Sequence, residues 1–331
     1  MEKKETLTTR ALLEIGGAFQ TSRPLLTAVE LDLFTRLGGA KLTAADLAQA
    51  LGVDERALTY LLDALVAQRL LDKVSGAYQN TPEGRALLVR DAPGSILAAL
   101  EHYANLWTRW GTLTEVVRVG HPIACREEGG DGSLESFLGA MHALAQESAP
   151  QVAEAIGLKG VRRMLDVGGG AASYSIAFAQ AEPGLTAVVF DLPDVVPIAG
   201  RNIERAGLQE RITTQAGNYH LGTFGTGFDL VLLSAIVHSN SAEENAALVR
   251  KCFDALAPGG RLVIRDFIMS PDRTEPAPGA LFAINMLVNT PGGGTFTEAE
   301  MRSWLDAAGF YDTRRVDLPG MNALMIGTRK A

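Results

Sequence analysis

The feature that most constrains this chain is a run of three glycines that directly follows a short apolar segment, at residues 165–170. The acid Asp166 lies in the apolar segment, two residues before the first glycine. Residues 174–180, after the glycines, are predicted to form a helix. Glycines let the backbone turn sharply and approach a ligand where a Cβ atom would block it. The N-terminus of the next helix adds N–H groups without intrahelical partners. A strand, a glycine turn and a helix in this order predict a nucleotide-type pocket in a doubly wound sheet.

The residues after Arg163 alternate between predicted strands and predicted helices, which favours right-handed crossovers and a mostly parallel, Rossmann-like α/β sheet. Strands are predicted at residues 164–167, 186–191, 212–216, 228–234 and 261–267, and helices at 172–181, 193–206, 242–257 and 298–308. The chain closes with residues 312–318 and 322–328 on either side of Pro319-Gly320. This pattern predicts a hairpin whose last strand runs antiparallel to the rest of the sheet.

The N-terminal part of the chain predicts a winged helix-turn-helix. Residues 9–37 are predicted to be helical with a break near Pro24, and Thr43 is predicted to cap the next helix. Another helix is expected from about Asp54, and residues 70–78 predict a small hairpin.

Two more helices are predicted at residues 95–120 and 133–156, with a loop at 127–132 between them. They carry aromatic and methionine side chains, which is typical of a core but also of a lid over a small-molecule pocket. We therefore predict three parts: a winged-helix domain at 1–92, linking helices at 93–157 and the α/β domain at 158–331.

Charge and composition argue against several classes of protein. The net charge of −8 disfavours a general nucleic-acid binder, and the helix in the recognition position carries Asp54, Glu55 and Asp63 beside Arg56. That favours packing and dimerisation over DNA binding for the winged helix. The N-terminal ten residues show no signal peptide, and no apolar run is long enough to cross a membrane, so a cytoplasmic protein is expected.

The cysteine content does not support a disulfide framework. The chain has two cysteines, Cys125 and Cys252, and both are interpreted as buried or incidental thiols.

The acids around the glycine turn suggest which ligand the pocket takes. The third glycine of a dinucleotide motif is replaced by Ser173, and Asp191 ends the second strand, where an acid can accept hydrogen bonds from ribose hydroxyls. Alternatively, Asp191 caps the helix that starts at Pro193. Asp166 would repel a pyrophosphate and suit a cationic ligand, which favours S-adenosylmethionine over NAD.

A candidate base follows the fourth predicted strand. His238 lies a few residues after residues 228–234, at the edge of the sheet where ligands bind, and could deprotonate a substrate hydroxyl. Asp266, at the end of the fifth strand, could orient the imidazole and stabilise its cation. The alternatives are a structural or solvent-exposed histidine and an exposed acid at a strand end.

With these residues in place, the chain resembles the S-adenosylmethionine-dependent small-molecule O-methyltransferases of the caffeate, acetylserotonin and hydroxyneurosporene type. The resemblance spans nearly the whole chain and rests on four segments, residues 165–170, 190–195, 257–262 and 289–300. It implies S-adenosylmethionine as cofactor with S-adenosylhomocysteine as its product, no metal, a small-molecule acceptor, and a homodimer formed through the N-terminal domains.

The resemblance also assigns roles to individual positions. His238 falls on the family's general base, and Asp266 on the carboxylate that orients it. The positions expected at the cofactor are Asp166, Gly168, Gly169, Gly170, Asp191, Leu192, Asn218, Tyr219 and Ser234. The positions expected at the substrate pocket are Trp107, Phe137, Met141, His142, Phe282, Asn285, Met286 and Asn289.

Four positions depart from the family pattern. The Asp-Trp that usually follows the base is Ser239-Asn240 here, so an adenine-stacking ring is missing, a common lysine is Ser234, and a second glutamate is Thr295. The leading hypothesis is methylation of a hydroxyl on a ring-containing acceptor. The alternatives are C-methylation or a cofactor-dependent reaction without methyl transfer, such as decarboxylation or hydroxylation, and a winged-helix regulator that senses the cofactor.

Overall fold

The computed structural model describes residues 7–124, 132–319 and 322–331. Two compact units make up the chain, Met1–Trp107 and Thr108–Ala331. Cys125, the predicted loop at 127–132 up to residue 131, and Gly320 of the predicted turn lie outside the described residues. The division into three parts at residues 92 and 157 stays a prediction.

The first unit has the elements of a winged helix. They are α1 (Thr9–Gly17), α2 (Phe19–Glu30), α3 (Leu33–Leu37), β1 (Leu42–Thr43), α4 (Ala44–Leu51), α5 (Glu55–Ala67), β2 (Leu71–Val74), β3 (Ala77–Asn80), α6 (Pro82–Leu88) and the start of α7 (Leu97–Gly111). The strands form a small sheet in the order β1-β3-β2.

Local signals in the sequence explain where these helices and strands begin. Thr43 caps α4 in a capping box with Asp46, and the Asp54 side chain accepts the Ala57 N–H at the start of α5. Ser75 and Gly76 both have positive φ, 52° and 82°, as a two-residue hairpin turn requires. These predictions are confirmed.

The predicted break at Pro24 is wrong. Pro24 lies inside α2, and the helical segment is instead interrupted at Ala18 and at Leu31. Proline leaves the carbonyl four residues earlier without its usual partner. That carbonyl belongs to Gln20, which is exposed, so water can bind it and the helix continues.

The second unit is a doubly wound α/β domain. Its helices are α8 (Leu113–Val119), α9 (Gly132–Ile156), α10 (Ser173–Ala181), α11 (Val196–Arg205), α12 (Ala242–Ala255), α13 (Ala277–Asn289) and α14 (Glu298–Ala308), with a short 3-10 turn at Val237–Ser239. Its strands are β4 (Arg163–Val167), β5 (Thr186–Asp191), β6 (Ile212–Ala216), β7 (Phe228–Ser234), β8 (Leu256–Asp266), β9 (Ile268–Met269), β10 (Phe296–Thr297), β11 (Tyr311–Asp317) and β12 (Ala323–Thr328).

The main sheet has the order β11-β12-β8-β7-β4-β5-β6. Pairing is parallel from β8 to β6, and β12 runs antiparallel to β8, as the closing hairpin predicted. The chain builds outwards from β4 to β6 and then returns to place β7 on the other side of β4. Strand order therefore reverses between β4 and β7, which is where such sheets bind ligands.

The sheet is buried on both faces, as a parallel sheet with crossover helices must be. One face packs through Leu165, Val231 and Ile264 against α12 and α14, and the other packs through Met164 and Leu232 against α9, α10 and α11. In the described part of the chain, no helix is long and apolar enough to cross a membrane.

One predicted helix needs correction, and one helix of the structure was not predicted. Residues 95–120 form α7 and α8, separated at Thr112, instead of one helix. The helix α13 was not predicted, because its sequence is apolar on almost every side and shows no alternation of polar and apolar faces.

Candidate functional site

The glycine turn lies at the carboxyl end of β4, beside the point where strand order reverses. Gly168 and Gly170 have φ values of +67° and +54°, which favour glycine. A Cβ atom on Gly168 would lie 2.2 Å from Cδ1 of Ile236, and one on Gly169 would lie 2.8 Å from Cγ of Asp166. Glycine is therefore required in this turn, both by the backbone conformation and because the side chains of Ile236 and Asp166 pack directly against it.

Asp191 closes this turn from the neighbouring strand. Its Oδ2 accepts the Gly170 N–H at 2.7 Å and its Oδ1 accepts the Leu192 N–H at 2.7 Å. Burial raises the pKa of the carboxyl, and the two backbone N–H groups oppose that rise. The interpretation of Asp191 as a helix cap is wrong, because α11 starts after Val195 and has no side-chain cap. Each carboxylate oxygen still has a lone pair that can accept a hydrogen bond from a ribose hydroxyl.

Asp166 lies beneath the turn and is only 1% exposed. Its Oδ2 accepts the Ser175 hydroxyl at 2.7 Å. Burial raises its pKa to about 7, against hydrogen bonds from Ser175 that lower it. The carboxyl is therefore partly protonated near neutral pH, which weakens the electrostatic argument that it selects a cationic ligand.

Helix α9 lies over the glycine turn. The side chain of Leu138 would be 3.4 Å from a Cβ atom on Gly170, and Nδ1 of His142 lies 2.7 Å from Oγ of Ser173. Burial, followed by the charge of Arg205, lowers the pKa of His142. The position of the missing third glycine thus holds a hydroxyl that pairs with a predicted pocket residue.

The candidate base and its partner meet at the carboxyl ends of β7 and β8. Nδ1 of His238 lies 2.9 Å from Oδ2 of Asp266, and the Phe267 N–H donates to Oδ1 of Asp266 at 2.8 Å. Asp266 is only 4% exposed, so the alternative of a solvent-exposed acid is wrong. The pairing uses Nδ1 and leaves Nε2 of His238 as the nitrogen that can accept a proton.

Aromatic rings surround this pair. The rings of His238 and Phe282 meet edge to face with centroids 4.8 Å apart, and Phe267 lies 5.1 Å from Phe282. Farther along α13, Oδ1 of Asn285 accepts the Trp110 indole N–H at 2.9 Å and the Asn289 amide at 3.1 Å. A flat apolar molecule with a few polar groups fits such a lining.

Asn218 and Tyr219 follow β6 on the far side of Asp191. Asn218 is exposed and its Oδ1 accepts the His220 N–H at 2.8 Å. The Tyr219 hydroxyl donates to Oδ1 of Asn240 at 3.1 Å, and burial raises the pKa of Tyr219. Position 240, where the resemblance predicts an adenine-stacking ring, therefore holds a buried amide that accepts a hydrogen bond from the hydroxyl of Tyr219.

The remaining predicted site residues belong neither to the glycine turn nor to the His238–Asp266 pair. Ser234 is half-buried, and its hydroxyl has no hydrogen-bond partner among the residues that the structure describes. Met286 is buried on α13, Leu192 is exposed, and Phe137 is 39% exposed on α9, where Met141 is half-buried. Trp107 belongs to the first unit, where Arg23 lies over its ring at 5.2 Å.

Sequence reasoning did not place four groups at the site: Trp110, Phe267, Asn240 as a hydrogen-bonding residue, and Asn245. Asn245 had a signal, because it lies on the same helical face as Leu248, Val249 and Cys252, where an apolar residue is expected. A polar amide in that position indicates a buried hydrogen-bond network.

The sheet order, the glycine turn, the ribose-type acid and the His-Asp pair together define a nucleotide-binding α/β enzyme with a helical N-terminal domain. A family model of the O-methyltransferase domain matches residues 127–311, and one of the O-methyltransferase dimerisation domain matches residues 13–90. The chain belongs to the O-methyltransferase family.

Relatives with known activities match along nearly their whole length. A 3-hydroxy-5-methyl-1-naphthoate 3-O-methyltransferase from Streptomyces sahachiroi is 33% identical over 96% of this chain and 94% of that protein. An L-tyrosine C(3)-methyltransferase from Streptomyces lavendulae is 30% identical over 92% and 87%. The solved structure of PigF with SAH is 26% identical, covers 98% of this chain and 100% of that chain, and has a TM-score of 0.89.

Proposed function

We propose that this protein transfers a methyl group from S-adenosylmethionine to a hydroxyl of a ring-containing small molecule. The observation that carries the proposal is the position of the glycine turn and of the His238–Asp266 pair on β4, β7 and β8 around one reversal of strand order. The naphthoate O-methyltransferase among the relatives supports a ring-bearing acceptor, and the PigF structure with SAH supports the cofactor.

The residues present at the glycine turn fit S-adenosylmethionine as the cofactor. Gly168 and Gly170 both have positive φ, and Asp191 fixes the turn by accepting the Gly170 N–H, so the turn can present its backbone to a ligand. Asp191 would hold the ribose hydroxyls, and Asn218 and Tyr219 would lie at the adenine. When bound, S-adenosylmethionine supplies an electrophilic methyl group on a sulfonium.

His238 acts as the general base in this proposal. Asp266 holds Nδ1, so Nε2 takes the proton of the acceptor hydroxyl while the oxygen attacks. The buried carboxylate then stabilises the imidazolium that forms. Alignment of the acceptor oxygen with the methyl group supplies most of the remaining rate, because the protein holds both reactants in place.

The acceptor binds between the 3-10 turn and α13 in this proposal. Phe282 and Phe267 form an apolar wall beside His238. Oδ1 of Asn285 accepts hydrogen bonds from Trp110 and Asn289. The side-chain N–H groups of Asn285 can therefore donate to an oxygen atom of the bound substrate. The acceptor is then a planar molecule with a carbonyl or hydroxyl at some distance from the methylated position.

Two experiments test this function. Calorimetric titration with S-adenosylmethionine should show one site per chain, and a screen of phenolic and polyketide acceptors should yield products heavier by one methyl group. On the best acceptor, His238→Ala should lower turnover by about 10²–10⁴-fold. Unchanged turnover would contradict the role of the base, and no heat of binding would contradict the function as a whole.

A second candidate function is methyl transfer to carbon. Thr295 stands where the family has a second glutamate, and it is only 6% exposed, so no carboxylate assists His238 from that side. The relative that methylates L-tyrosine at C(3) shows that the family includes this chemistry. Hydrolytic stability and fragmentation of the product distinguish an O-methyl from a C-methyl group, and an unmethylated product would indicate the reactions without methyl transfer.

We also propose that the protein is a homodimer formed through its N-terminal unit. The match to the dimerisation domain covers residues 13–90. Large apolar side chains are exposed on α1 and at the start of α2, namely Leu12, Leu13, Ile15 and Phe19. An exposed apolar surface of this kind favours association with a second copy. The cytoplasmic location and the absence of a metal stay predictions.

A further inference from the structure

Two buried asparagines next to the proposed base form a continuous hydrogen-bond chain. The Tyr219 hydroxyl donates to Oδ1 of Asn240 at 3.1 Å, and Nδ2 of Asn240 donates to Oδ1 of Asn245 at 3.1 Å. Nδ2 of Asn245 then donates to the carbonyl oxygen of Val237 at 2.8 Å. Every donor in this chain faces an acceptor, and it runs in one direction, from Tyr219 to the turn that carries His238.

The network occupies a place where apolar side chains would pack well. Asn240 is 2% exposed and Asn245 is 0% exposed, and Asn245 belongs to the face of α12 that enters the core. Burying an amide costs free energy unless its polar atoms are bonded, so a half-satisfied pair would destabilise the core. Both amides can be buried here because each one donates a hydrogen bond and accepts one.

The last acceptor in the chain is part of the turn that holds the base. The Val237 carbonyl also accepts the Asn240 N–H at 3.3 Å, which closes the 3-10 turn around His238. On the other side, the Gly294 N–H donates to the His238 carbonyl at 2.8 Å. Asn245 therefore holds one end of the turn, Gly294 holds its middle, and Asp266 holds the imidazole.

We infer that Asn240 and Asn245 are positioning residues for His238, and that they connect the turn to Tyr219 on the cofactor side of the site. This inference rests on the proposed role of His238 as the base. The amides do not contact the reacting atoms; they fix the backbone from which the imidazole reaches both Asp266 and the acceptor hydroxyl. Position 240, where the resemblance predicts an adenine-stacking ring, thereby links the cofactor side to the turn of His238.

The test uses the proton between His238 and Asp266 as its probe. In the full-length protein, a downfield proton NMR resonance that disappears in His238→Gln and in Asp266→Asn reports the Nδ1–H of His238. Asn245→Leu keeps the branching of the side chain and removes the hydrogen bond to Val237. We expect exchange of this proton with water to become about tenfold faster in Asn245→Leu, because one buried hydrogen bond no longer holds the turn.

A second variant and a control separate positioning from general destabilisation. Tyr219→Phe removes the first donor at a half-buried position and should accelerate exchange in the same direction, by a smaller factor. If Asn245→Leu does not fold, Tyr219→Phe decides the question. Cys252→Ala, in the same helix and fully buried, should destabilise the core without changing the exchange.

The outcomes that overturn the inference differ from those that overturn the proposed function. Unchanged exchange in the folded variants, equal acceleration in Cys252→Ala, or a wild-type spectrum without the resonance would each overturn the positioning role. On an active acceptor, Asn245→Leu should lower kcat about tenfold with S-adenosylhomocysteine affinity within about twofold of wild type. Full turnover in His238→Ala would overturn the role of the base and the positioning role with it, whereas an inactive His238→Ala beside an unchanged Asn245→Leu overturns the positioning role alone.

Discussion

Replacing Asp166 by asparagine should change how the stability of this protein depends on pH. The carboxyl is 1% exposed, and burial raises its pKa from 3.8 to about 7. In the unfolded chain the group returns to its ordinary value. Because the folded pKa is the higher one, this group favours folding most at low pH, and that contribution is lost as the pH rises through about 7.

The size of the effect follows from the shift. About 1.36 kcal/mol per pKa unit, over roughly three units, gives about 4 kcal/mol between pH 4 and pH 8. Asparagine does not ionise, so the variant lacks this term, although it carries a constant cost or gain from its altered hydrogen bond with Ser175. The difference in unfolding free energy between variant and wild type should therefore move by about 4 kcal/mol in favour of the variant as the pH rises.

Urea unfolding of both proteins at fixed protein concentration, from pH 4 to pH 8, measures this difference, and the subtraction removes the titrations that both proteins share. The Ser175→Ala variant provides a second check, because it removes a hydroxyl that lowers the pKa of Asp166. In Ser175→Ala, the fall of the unfolding free energy with rising pH should continue to a higher pH than in the wild type. A difference between Asp166→Asn and wild type that stays constant over this range would refute the reasoning.

Three other changes test separate parts of the structure. Gly168→Ala should weaken S-adenosylmethionine binding at least tenfold by calorimetry, whereas Gly207→Ala, with a similar φ of +68° but open space around it, should not. Asp266→Asn should lower kcat about 10²–10⁴-fold by mispositioning His238, with cofactor affinity retained; an equal loss of affinity would argue against this role. Leu13→Glu should shift a dimer towards monomer in sedimentation velocity, and an unchanged mass would place the interface elsewhere.

The sheet and its ligand-binding edge could be predicted from the sequence because they depend on local patterns. Buried strands show as short apolar runs, and the glycines of residues 168–170 mark a turn that few other backbones need. The position of His238 beside Asp266 also followed, since parallel strands bring their carboxyl ends to one edge. These features are set by backbone direction and topology, which a sequence pattern records.

The chemical environment of the site depends on packing, which the pattern does not record. The charge state of Asp166 depends on how deeply the turn covers it, and its position before the glycines says nothing about that burial. Helix α13 lacks a polar face, so its periodicity was invisible, although it carries Phe282 and Asn285. The pairing of Asn240 with Asn245, five residues apart, depends on how the 3-10 turn leads into α12, which the apolar pattern does not show.

The two halves of the candidate site are held by different means. The cofactor side is built from backbone: positive-φ glycines, the Gly170 N–H and the strand-end acid Asp191. Such a site tolerates changes in neighbouring side chains, because its shape is fixed by main-chain geometry. The proposed base, His238, lies instead on a three-residue turn that both main-chain and side-chain hydrogen bonds hold. At position 240 an amide stands where the resemblance predicts an aromatic ring, and through Asn245 this amide is linked to the turn that carries His238.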